Sequence, residues 1–187
     1  MWLGLSLSQA VMHTDKPFYQ IFQTCPRWLF QLVGQPIPAC ELSFSSVEFK
    51  ALARTADGLL EPADPSEPLW LVEFQTKLTA RAALTASIEV GMLEDQRYPR
   101  PARGIIIYLG AVPADCARWP WIKCYDLKDL LPQLECEHPL QHILSPLLVT
   151  TDEELAARAE KDYYAVQQDP ALTPDQSRKL CEVLFDL

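Results

Sequence analysis

Two apolar runs and the helix between them constrain this chain most. Residues 69–75 (LWLVEFQ) and 103–109 (RGIIIYL) are apolar on almost every position, the pattern of strands buried on both faces at the centre of a sheet. Between them, residues 79–96 turn Ala-rich and helical, with Ala82, Ala83, Ala86, Ile88, Val90, Met92 and Leu93. A helix that joins two buried strands predicts a right-handed crossover and parallel pairing. At 187 residues the chain is long enough to bury a core around such a unit. The fold class expected is therefore α/β.

The flanks add to this unit. Thr14 or Asp15 can cap a helix with Pro17 in its first turn, and Phe18, Ile21 and Phe22 form its apolar stripe. Trp28, Leu29, Leu32 and Val33 make a second buried face, closed by Gly34. Residues 42–50 (LSFSSVEFK) and 52–60 read as strands. Beyond residue 109 a short strand is expected at 122–125, with Asp126 capping a brief helix, while 138–149 is ambiguous. Asp152, Glu153 and Glu154 open a long helix, and residues 174–187 form a last one with Leu180, Val183 and Leu184 on one face. Residues 1–13 read as a loose N-terminal extension, 14–151 as the main domain and 152–187 as a helical C-terminal region.

Asp57, Glu73 and Gln75 carry the chemistry. An Asp-Gly pair such as Asp57-Gly58 often marks a hairpin turn. Residues 61–68 (EPADPSEP) make a far stronger turn, and two turns that close together would leave no strand. Asp57 is therefore expected within or at the edge of a strand. Glu73 and Gln75, two apart in the next strand, point the same way. A carboxylate in a buried strand is costly unless paired or bound to a metal. Two acids on adjacent strands repel, and a divalent cation relieves that. Hard oxygen ligands suit Mg²⁺ or Mn²⁺, which can activate water and neutralise charge in phosphodiester chemistry. The alternative is a solvated pair of acids. Arg81 sits in the first turn of the following helix, where the dipole disfavours a cation; it is either a surface residue or reaches toward a phosphate.

Other chemistries find less support. Cys124, Cys136, His138 and His142 are separated by eleven, one and three residues, and the two cysteines lack the close spacing of a zinc site. Three histidines and six glycines offer no nucleophile elbow and no glycine loop for a nucleotide. The six cysteines form no CxxC pair and read as reduced thiols of a cytoplasmic protein. No run approaches a membrane span. The net charge of −9 argues against clinging to nucleic acid through bulk charge. Nine acids against four bases lie beyond Thr151, however, which leaves room for a local basic face on the first 151 residues.

Five pieces, in order and spacing, resemble a known family: TDKPFYQIFQTCP (residues 14–26), SSVEFK (45–50), ADGLLEP (56–62), VEFQ (72–75) and GIIIY (104–108). The chain resembles the Rpn-type recombination-promoting nucleases and transposases, in a cyanobacterial branch long filed as a domain of unknown function, within the PD-(D/E)XK nuclease superfamily. The resemblance implies a restriction-endonuclease-like mixed central sheet flanked by helices, with a helical C-terminal region. It also implies a Mg²⁺-dependent (or Mn²⁺-dependent) DNA endonuclease linked to recombination or mobile elements. Asp57 and Glu73 would be the metal ligands. Gln75 would stand where the superfamily more often has lysine, with Lys77 as a partial substitute and Glu48 as a further acid near the site. DNA is the implied partner, a membrane is not, and homodimers are common among such nucleases. Because glutamine can neither supply charge nor accept a proton, the alternative is a catalytically inactive module that binds DNA or protein.

Overall fold

The computed structural model describes residues 15–77, 79 and 81–187. The expected loose extension at residues 1–13, and the Thr14 cap, lie outside the described residues. Helices α1 (Asp15–Thr24) and α2 (Arg27–Leu32) precede strands β1 (Leu42–Phe49), β2 (Arg54–Pro62) and β3 (Leu69–Gln75). Helix α3 (Ala82–Gln96) leads into β4 (Ala102–Tyr108) and β5 (Ile122–Asp126), and then come α4 (Leu127–Leu130), α5 (Pro139–Leu144), α6 (Asp152–Gln167) and α7 (Pro174–Asp186).

The five strands lie in sequence order in one mixed sheet. β1–β2 and β2–β3 are antiparallel, whereas β3–β4 and β4–β5 are parallel. The expected β3–α3–β4 crossover is present, with Leu69 to Gln75 paired in register to Ala102 to Tyr108. Asp57-Gly58 lies inside β2, and the chain turns instead after Pro62, where Ser66 donates its backbone N–H to Asp64 Oδ1 at 2.8 Å. Arg100 ties that turn to the sheet. Its guanidinium donates to the carbonyls of Glu67 (2.9 Å), Pro62 (2.6 Å) and Asp64 (3.2 Å) and to Glu61 Oε1 (3.1 Å).

The sheet separates two cores. On one side α3 packs Ala83, Ala86, Val90 and Leu93 against Leu69, Leu71, Ile106 and Tyr108. On the other, Trp70, Val72, Phe74, Ile105 and Ile107 meet α1, α2 and the later helices, including Val166, Leu180 and Val183 of the C-terminal region. Phe18 of α1 stacks on Phe74 with ring centroids 4.0 Å apart, and Phe22 stacks at 5.7 Å. The aromatic stripe of α1 thus holds β3 from behind at the residue between Glu73 and Gln75. By strand alternation those two side chains face α3.

The residues weighed for zinc are scattered. Cys124 packs against the α3-side core, while His142 pairs with Asp162 at 2.8 Å on the other side. His138 Nδ1 accepts the Leu140 N–H, its Nε2 lies 3.3 Å from Gln31, and Cys136 is exposed nearby.

Candidate functional site

The site begins with a flaw in β2. Ser45 pairs with Leu59 but Val47 pairs with Ala56, so two residues of β2, Asp57 and Gly58, face one of β1. This is a β-bulge, which twists a strand locally and re-aims a side chain. Glycine suits this position because a Cβ would come 2.0 Å from Phe44 Cζ and force that ring to move. Ladder pairing of β2 with β3 ends at Gly58↔Val72, while β3 runs on beside β4 to Gln75. The Asp57 carboxylate occupies the opening, and its Oδ2 accepts the backbone N–H of Phe74 at 2.7 Å.

Glu73 lies beside it, 5% exposed, with Oε1 lacking a hydrogen-bond partner. Burial, then the negative charges of Asp57 and Glu89, push its carboxyl up to about 8; the Arg54 charge and the Asp57 backbone amide pull the other way. Asp57 and Glu73 therefore share one electrostatic neighbourhood. Gln75 is half-buried, with Thr79 Oγ1 3.1 Å from its Oε1. Glu73 and Gln75 open into a cavity of about 330 Å³ walled also by Arg54, Thr79, Arg81, Ala82, Thr85 and Ala86. It sits where β3 ends and α3 begins, and among the described residues no side chain caps that helix N-terminus.

The other expected residues stand apart. Glu48 is exposed and, by alternation, faces away from its neighbours Val47 and Phe49, which pack toward α3. Lys77 is exposed beyond the end of β3 and, with Gln75, Tyr108 and Leu109, borders an adjoining hollow of about 60 Å³ rather than the Glu73 cavity. Arg81 does reach the cavity wall.

Sequence reasoning missed Glu89. It is 0% exposed on α3, and neither carboxylate oxygen has a well-formed hydrogen bond. Arg54 Nε nevertheless lies 3.2 Å from its Oε1, an ion pair by distance whose angle is poor for hydrogen bonding. Burial raises the Glu89 carboxyl, and Arg54 opposes this. A signal existed: Glu89 follows Ala86 by three and precedes Leu93 by four, so it lies on the buried stripe of the helix.

A cavity of about 760 Å³ lies elsewhere, between α2 and the segment before α5, and is lined by Trp28, Cys40, Glu135, Cys136 and His138 among others. Among the described residues no three His, Cys, Asp or Glu side chains converge as a preformed metal cage, there or at Glu73.

Fold and site together define an α/β protein with a buried carboxylate cluster at the mouth of a crossover helix. A family model described as a protein of unknown function (DUF2887) matches residues 14–185, and the chain belongs to that family. No curated protein and no solved structure matches it.

Proposed function

We propose that the chain is a Mg²⁺- or Mn²⁺-dependent DNA endonuclease of the Rpn type within the PD-(D/E)XK superfamily, with Asp57 and Glu73 holding the ion. The observation that carries this reading is the orphaned Oε1 of Glu73, buried beside a second carboxylate and opening on a cavity. Without a cation the buried carboxyl keeps its proton up to about pH 8, and a divalent ion would take that proton's place on the oxygen. Two carboxylates suffice for Mg²⁺, which keeps several waters and takes further oxygens from substrate phosphates. The absence of a three-residue cage among the described residues is compatible with that mode.

When bound, the ion would supply an activated water and neutralise charge on the phosphoryl oxygens. The chain's own residues do the rest. Asp57 is held in place by the Phe74 N–H. Gln75, steadied by Thr79, offers amide groups to orient a water or a phosphate oxygen. It supplies no charge, and Lys77 lies off the cavity wall. That observation favours the second reading, an inactive descendant that binds DNA or a protein. Among the described residues no helix is long and apolar enough to cross a membrane; a cytoplasmic homodimer is what analogy with such nucleases implies.

Plasmid nicking with Mg²⁺ tests the proposal. Wild type is expected to nick, and Asp57→Ala and Glu73→Ala to lose activity at least a hundredfold, on the order of 3 kcal/mol in transition-state stabilisation. Wild type that fails to cut, or variants that cut equally well, overturn it.

A further inference from the structure

Gln75 brings no charge to the cavity, so any positive charge there comes from other residues. Arg54 and Arg81 both stand on its wall, with the hydroxyl-bearing Thr79 and Thr85. Of the two, Arg54 is anchored. It comes from the α3-facing side of β2, three residues before Asp57, and turns Nε toward Glu89 at 3.2 Å. The Glu89 side chain is fully buried while that of Arg54 is 47% exposed. The contact is single-sided, unlike the two-bond fork that would occupy the guanidinium edge. Glu89 thus holds the guanidinium by charge at Nε, on a residue that lines the cavity.

An acid in the middle of a buried helical stripe has no packing role that alanine or leucine would not fill better. Its effect here is to hold one cation at one place. Arginine suits that place because its planar fork matches phosphate oxygens and stays charged at any working pH. The uncapped N-terminus of α3 lies on the same wall and adds favourable potential for an anion.

We propose that Arg54, positioned by the buried Glu89, binds a non-bridging oxygen of a DNA phosphodiester in this cavity and supplies the charge that Gln75 cannot. This rests on the nuclease reading for its substrate class, but it concerns binding and is separable from cleavage.

The experiment measures anisotropy of a short fluorescein-labelled DNA duplex, with Ca²⁺ replacing Mg²⁺ so that binding is read without turnover, over a range of salt. Four proteins are compared: wild type, Arg54→Gln, Glu89→Gln and the double variant, which leaves no uncompensated buried charge. All are checked for folding by circular dichroism. Arg54→Gln is expected to weaken binding about tenfold and to shallow the salt slope by about 0.9, the loss of one phosphate contact. Glu89→Gln weakens binding when Arg54 is present and has no further effect in the Arg54→Gln background, because it acts through the arginine. A merely structural Glu89 would weaken both backgrounds alike. Unchanged affinity and slope for Arg54→Gln, additive losses, or no binding by wild type each overturn the proposal. Arg54-dependent binding without plasmid nicking sinks only the catalytic reading. Nicking with binding indifferent to Arg54 sinks only this inference.

Discussion

Glu73→Gln separates the electrostatics of the site from its shape. Glutamine has nearly the same volume, so the α3-side core is undisturbed, and its amide can donate toward Asp57. In wild type the Glu73 carboxyl is pushed from 4.5 up to about 8, chiefly by burial and then by Asp57 and Glu89. Between those two values the folded chain keeps a proton that the unfolded chain has lost. Stability therefore falls as pH rises through this window, and the favourable contribution is complete only below the unfolded value. At 1.36 kcal/mol per unit, the loss across the window is about 4 to 5 kcal/mol. Glutamine does not titrate, so the variant lacks this contribution to the pH dependence. Urea unfolding in EDTA at about pH 5 and about pH 9 checks this. Wild type should lose several kcal/mol more than the variant between the two conditions. Equal pH dependence in the two proteins would refute the argument, since the Glu73 carboxyl would then titrate alike folded and unfolded.

Other outcomes follow from the geometry. In wild type, but not in Glu73→Gln, Mg²⁺ should raise the unfolding midpoint at about pH 8, as a ligand that binds only the folded state does; calorimetric titration reads the same difference directly. Gly58→Ala should cost about 1–3 kcal/mol, because the new Cβ must displace the Phe44 ring. Adding Phe44→Leu should make the pair's loss in urea unfolding less than additive. Arg100→Lys should destabilise the chain by about 2 kcal/mol despite keeping the charge, since three carbonyls and Glu61 are bound by a planar fork that an ammonium cannot reproduce.

The parts of the fold that were legible in the sequence share a cause. β3, α3 and β4 could be read because runs apolar on both faces have few other homes. Asp57 could be put in a strand because a better turn followed it. The bulge could not be read, since pairing across β1 and β2 depends on where Phe44 packs, a contact fourteen residues distant in sequence from Gly58. Glu48 was drawn toward the site by its motif, yet Val47 and Phe49 take the α3 side and turn it away. Lys77 would share the side of Glu73 and Gln75 only if β3 continued, and the strand ends at Gln75. Glu89 escaped because a search for apolar positions passes over an acid standing on the apolar stripe.

The bond from Asp57 to the Phe74 N–H changes what either acid signifies in a descendant of this chain. Asp57 is held by two separate demands, any chemistry and the closure of an unpaired sheet edge, so a copy that had lost its activity would still have reason to keep an oxygen acceptor there. The Glu73 carboxyl meets the Asp57 backbone amide in return, and only its Oε1 is left without a hydrogen bond. Drift after loss of function should therefore spare an oxygen acceptor at both positions, and glutamine at 73 would supply one without the buried charge. On the nuclease reading, an acid rather than an amide at position 73 is the mark by which a working copy could be told from a relic.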